Sequence, residues 1–195
     1  MKKPPWIRIK VPQEKFMRKM KSLLEEIRPP TVCESAICPN IGSCFSQGTL
    51  TFMILGEICT RNCGFCSVTH GIPKAPNILE AEKVAKAALR LNIDHVVVTS
   101  VTRDDLSDGG AFLFAETVKQ IKALIPKAST ELLVPDFGGK EDNLKIVLDA
   151  KPDILAHNIE TGQFISCQRY FSKHKEGKFM NHNLFIKSHM LFSLN

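Results

Sequence analysis

Between residues 49 and 161, short apolar runs alternate with amphipathic helical stripes, and this alternation narrows the fold more than any other feature. The runs are Thr49–Leu55 (TLTFMIL), His95–Val101 (HVVVTSV), Thr130–Pro135 (TELLVP) and Asp153–Glu160 (DILAHNIE). Their length and continuous apolar character predict strands buried on both faces. Between them the sequence predicts helices over Leu79–Leu91, Ala111–Ile125 and Glu141–Ala150. Val84, Ala88 and Leu91 share one face of the first, and Phe114, Val118, Ile121 and Ile125 one face of the second. Asn77 is placed to cap the first helix, with Glu80 three residues on as its capping-box partner. Strands alternating with helices imply a parallel sheet joined by right-handed crossovers, an α/β class with about four strands. The chain has 195 residues, and a complete (β/α)8 barrel takes about 250, so a partial parallel (β/α) barrel is expected. Ligand sites in such folds lie beyond the carboxyl ends of the strands.

The flanks differ from this middle. Residues 1–48 read as an N-terminal arm. PPWIRIKVP is extended because proline disfavours helix for itself and its predecessor, and a stripe of Phe16, Met20, Leu23, Leu24 and Ile27 predicts a docked helix from Gln13 to Ile27. Residues 49–161 form the partial barrel. Residues 162–195 read as an aberrant C-terminal tail with no βα period: from residue 161 on there is no Ala, Val, Asp or Pro, whereas the preceding 160 residues hold twelve Ala and eleven Val. Charge follows the same division. The net +6 is +6 from residues 1–30, −4 from 31–160 and +4 from 161–195. An acidic core argues against a nucleic-acid binder, which would present a basic face. The apolar runs are too short to span a membrane. The N-terminal lysines precede no apolar h-region, so a cytoplasmic protein is expected, acting as a monomer.

Six of the seven cysteines fall between Cys33 and Cys66, and Cys167 stands alone as a simple thiol. Cytosolic thiols stay reduced, so the clustered cysteines point to metal or redox chemistry rather than disulfides. The second cluster is Cys59-x3-Cys63-x2-Cys66 (CTRNCGFC), directly after the first strand. Three thiolates on one loop suit three irons of a cubane 4Fe–4S cluster, leaving one iron open to a small molecule. Zinc needs a fourth ligand, for which only His70 lies near. The first cluster, Cys33-x4-Cys38-x5-Cys44, has similar spacing and suggests a second Fe–S centre.

The triplet Cys59, Cys63 and Cys66, with an aromatic residue before its last cysteine and a strand before its first, resembles the radical S-adenosylmethionine (SAM) superfamily. CPNIGSC, GTLTFMILGEICTRNCGFCSVTHG, VVVTSVTRDDLSDGG, VPDFGG and PDILAHNIET together resemble the lipoyl synthase family, over about Trp6 to Thr161. The resemblance implies a radical SAM barrel whose N-terminal arm carries an auxiliary Fe–S segment. It implies two 4Fe–4S clusters, one on Cys59, Cys63 and Cys66 that binds SAM, the other on Cys33, Cys38 and Cys44 that donates sulfur. The implied substrate is an octanoyl chain on a lipoyl carrier domain. Two 5′-deoxyadenosyl radicals abstract hydrogen from carbons six and eight, sulfurs are inserted there, and an electron donor drives SAM cleavage. Ser100, Arg103, Asp105, Asn158 and Glu160 fall in matching motifs and are expected near SAM.

The likeness stops near Thr161. The family carries a C-terminal Arg-Ser-Ser-Tyr motif, whose serine is the fourth ligand of the auxiliary cluster, and further βα units; neither is present here, so the sequence reads as truncated or frameshifted after about Thr161. Competing readings are an inactive remnant, a two-cluster electron-transfer protein with clusters saturated by protein ligands, a biotin synthase relative, and a zinc-bound nucleic-acid module. The biotin synthase relative accounts for the second cysteine motif but not the first.

Overall fold

The computed structural model describes residues 22, 27, 31, 32, 50–64, 66–158 and 185–187. Its elements are β1 (Thr51–Ile54), α1 (Leu79–Leu91), β2 (His95–Ser100), α2 (Ala111–Leu124), β3 (Ser129–Leu133), α3 (Glu141–Asp149), β4 (Ile154–Ala156) and β5 (Phe185–Lys187). The expected α/β architecture is present, with the first four strands and all three helices where the periodicity puts them. All strands are parallel, and they lie in sequence order. Right-handed crossovers between strands laid down in order put every helix on the same face of the sheet, which is the arrangement of a barrel wall rather than a doubly wound sheet.

The two faces differ accordingly. Phe52, Ile54, Val96, Val98, Leu132 and Leu155 alternate onto one face and are almost wholly buried, in one core with Val84, Ala88, Phe114, Val118, Ile121 and Val147 of the helices. Each such side chain contributes about 1.5–3 kcal/mol by leaving water. Thr51, Val97, Thr99, Glu131, Leu133 and Ile154 alternate onto the other face and are only half-buried. That second face is the inner wall of the partial barrel.

Boundaries follow local chemistry. β1 stops where Leu55 takes a left-handed φ of 71°. α1 stops at Asn92, whose left-handed φ of 53° lets its N–H reach the carbonyls of Ala88 and Leu89. β3 ends short of Pro135, which has no N–H for the ladder. A short 3-10 turn at Phe137–Gly139, absent from the sequence reading, is capped by the Asp136 side chain, which accepts from the Gly138 N–H. Phe137 meets Phe114 edge-to-face at 6.1 Å.

Two features lie beyond that reading. Thr31, within the arm, is 1% exposed and forms an isolated antiparallel bridge with Phe52 of β1. In the C-terminal stretch, β5 pairs parallel with β4 through Ile154↔Phe185 and Leu155↔Ile186. Most of the arm, its predicted helix and the tail lie outside the described residues, as do Cys33, Cys38, Cys44, Phe65, Glu160 and Cys167.

Candidate functional site

The site is assembled on the loops that follow β1, β2 and β3. The first begins at a corner. Leu55 is 1% exposed, yet its peptide groups point away from any strand partner. Its N–H donates to Glu80 Oε2 at 2.7 Å and its carbonyl accepts from Arg103 Nη1 at 3.1 Å. Of the predicted capping box, Asn77 does accept the N–H of Leu79 at 3.0 Å. Glu80, however, is drawn to the β1 corner. Burial pushes its carboxyl above the ordinary range, opposed by the backbone N–H groups of Leu55 and Gly56.

Beyond the corner, Cys59 pairs with His70 as an isolated parallel bridge, its N–H on Thr69 O at 2.8 Å and its carbonyl accepting from Gly71 at 2.9 Å. This bridge closes the loop around the other two cysteines. A turn joins them, with the Cys66 N–H on Cys63 O at 3.0 Å. Cys59 is half-buried, and Cys63 and Cys66 are exposed. The Arg61 N–H lies 3.4 Å from Cys59 Sγ.

The β2 loop braces this one. Thr60 donates its N–H and its hydroxyl to Thr102 O, both at 3.0 Å, and accepts the Asp104 N–H at 3.1 Å. Arg61 reaches outward in two forked pairs. Nε and Nη2 each lie 2.7 Å from Asp104, and Nη1 and Nη2 each lie 2.9 Å from Asp136. Hydrogen bonds to Asp104 and then Asp136 hold the guanidinium more firmly charged, and Arg61 in turn holds the Asp104 carboxyl below the usual carboxylate range. The Asp136 side chain is 4% exposed, so this pairing lies largely out of water.

Arg103, expected near SAM, is itself 1% exposed. Its guanidinium grips Asp105 at 2.8 and 2.7 Å, Leu55 O at 3.1 Å and Lys74 O at 2.9 Å. Ser100 ends β2 with its hydroxyl buried and without a partner among the described residues. Asn158 follows β4 and is half-buried. His157, just after β4, is buried with Nδ1 2.7 Å from Val134 O. A cavity of about 150 Å³ opens between the β2 and β3 loops, lined by Thr102, Asp104, Ser107, Pro135, Phe137 and Asn143 among others.

The donor set fits an iron–sulfur cluster: three thiols on one braced loop, at the carboxyl end of the sheet, with a backbone N–H near one sulfur. Among the described residues no three His, Cys, Asp or Glu side chains meet as the ligand set of a single ion; a cubane spreads its cysteines over separate irons. Sequence reasoning found the cysteines but missed Arg61, Thr60 and Asp136 as their support. A charged residue inside the cysteine loop was the signal available; the acids it meets lie 43 and 75 residues away in sequence.

A family model of the radical SAM superfamily matches residues 53–181. A lipoyl synthase of Symbiobacterium thermophilum is 51% identical over 165 residues, covering 85% of this chain and 52% of that protein. One from Nitratidesulfovibrio vulgaris is 51% identical over 158 residues, covering 81% and 53%. One from Caldicellulosiruptor saccharolyticus is 43% identical over 201 residues, covering 99% of this chain and 70% of that protein. The chain thus spans about half the length of the first two of these relatives. No helix among the described residues is long and apolar enough to cross a membrane.

Proposed function

The chain belongs to the lipoyl synthase family of the radical SAM superfamily, and from this we propose that it acts in inserting two sulfurs, at carbons six and eight, into an octanoyl chain on a lipoyl carrier domain. The observation that carries the reading is the placement of Cys59, Cys63 and Cys66 on one braced loop beyond the carboxyl end of β1. These three residues would hold the 4Fe–4S cluster that binds SAM. Cys33, Cys38 and Cys44 would hold a second, sulfur-donating cluster. When bound, the first cluster and SAM supply a 5′-deoxyadenosyl radical, which unactivated C–H bonds require. The protein's part is to orient the substrate and keep water out. Ser100, Asn158 and Glu160 would lie near SAM at the strand ends, with Arg103 and Asp105 acting behind them through the loop. An external electron donor and a cytoplasmic setting complete the reading.

Anaerobic reconstitution tests it. Two cubanes require about eight irons per chain, SAM addition should perturb the spectrum of one cluster, and an octanoylated carrier should gain sulfur. About four irons per chain removes the second cluster. Eight irons with spectra indifferent to SAM would favour an electron-transfer protein instead. Two clusters and SAM cleavage without sulfur transfer would match an inactive remnant of the pathway enzyme.

A further inference from the structure

We propose that Arg103 and Arg61 are positioning residues that hold the cysteine loop in its ligating conformation before any iron arrives. The proposal rests on reading Cys59, Cys63 and Cys66 as cluster ligands. Arg103 gathers the two ends of the loop: Nη1 holds the carbonyl of Leu55, where the loop leaves β1, and Nη2 holds the carbonyl of Lys74, where it approaches α1. The guanidinium is 1% exposed and is fixed from behind by both oxygens of Asp105. Closing a loop between fixed ends removes conformational freedom that cluster binding would otherwise have to remove. Arg61 pins the middle. It sits between Cys59 and Cys63 and reaches Asp104 on the β2 loop and Asp136 on the β3 loop with paired hydrogen bonds to each. The cysteines are thereby tied to three strands at once. The planar fork makes paired hydrogen bonds from separate nitrogens, a geometry that the single ammonium nitrogen of lysine does not reproduce.

The test begins with metal-free protein, comparing amide hydrogen exchange in wild type, Arg103→Lys and Arg61→Lys. In the loop the amides that report are Cys59 on Thr69, Gly71 on Cys59, and Thr60 on Thr102. Losing a charge-assisted hydrogen bond should speed exchange there about tenfold or more, while amides of β2 and α2 stay as protected as in wild type. After reconstitution, the cluster should lose iron to a chelator faster by a similar factor in both variants. A rise in exchange spread equally over β2 and α2 would make these residues general supports of the core and overturn the proposal, as would unchanged exchange in the loop. Arg61 is about a third exposed, so its variant folds even where Arg103→Lys does not, and its result alone decides. A wild-type chain that takes up no cluster overturns the proposed function and leaves the exchange comparison standing.

Discussion

A single contact explains why Gly110 must be glycine. Its φ is 89°, and a Cβ there would lie 2.2 Å from Leu55 Cδ1. The Leu55 side chain is packed in the core at 1% exposure, so it has little room to move aside. Gly110→Ala should therefore combine left-handed strain with overpacking, at about 2–4 kcal/mol. Gly138 has a similar φ of 64° but open space around its Cβ position, so Gly138→Ala should carry the backbone strain alone, about 1 kcal/mol. Denaturant midpoints of the two variants separate clash from strain; equal losses would refute the close packing at Leu55. The same corner predicts the effect of Glu80→Ala. Removing the carboxylate leaves the Leu55 N–H buried and unpaired, which costs about 1–3 kcal/mol. A thermal melt unchanged by that substitution would mean that water or another group takes over.

At the scale of elements, the β3–β4 edge is held by Asp153, whose Oδ2 accepts the N–H of Thr130 at 2.8 Å and its hydroxyl at 2.9 Å. Burial resists the charge most strongly, but the Thr130 N–H, its hydroxyl and Lys122 together outweigh it and hold the carboxyl below its ordinary 3.8. Asp105 is lowered likewise, chiefly by Arg103. A carboxyl with a depressed folded pKa stabilises the fold above its unfolded value, and that stability is lost as pH falls through the folded value. Glu80, raised by burial, has the opposite sign: its contribution is present below its ordinary 4.5 and is lost as pH rises through its folded value. Stability should thus hold or rise slightly as pH falls from 7 toward 4.5, then drop below 3.8. Asp153→Asn should be less stable than wild type at pH 7, and the gap in urea midpoints should close below 3.8. A gap that stays constant down to pH 3 would remove the charge from this account. The elements themselves were legible in the sequence, because apolar period is a local signal: α1 matches its predicted span, and β1 and β2 differ only at their ends. The ties between elements were not. Arg61 and Asp136 are 75 residues apart, and Arg61 and Asp104 are 43 apart; nothing in residue spacing reports that these loops meet. The Asn77–Glu80 capping box was read from local pattern and was half diverted, because a buried corner competed for the carboxylate.

For the molecule as a whole, the sequence carries two cysteine triplets, one in the N-terminal arm and one on the loop that runs out of the carboxyl end of β1. That arrangement gives the last prediction its sign. Cys63 belongs to a set of three thiols with none to spare, so Cys63→Ala should abolish the cluster proposed to bind SAM and with it all 5′-deoxyadenosine formation. Cys38 belongs to the other set. Cys38→Ala should leave that cluster and SAM cleavage intact while ending sulfur insertion, since the proposed function draws the radical and the sulfide from separate centres. The iron count should fall from about eight to about four in each variant, yet only one of the two should still cleave SAM. Hydrogen exchange at β2 and α2 amides should match wild type in both; Cys63 is exposed and outside the buried core. Equal loss of SAM cleavage in two well-folded variants would mean that the triplets do not divide the chemistry, and the roles assigned to them would have to be abandoned.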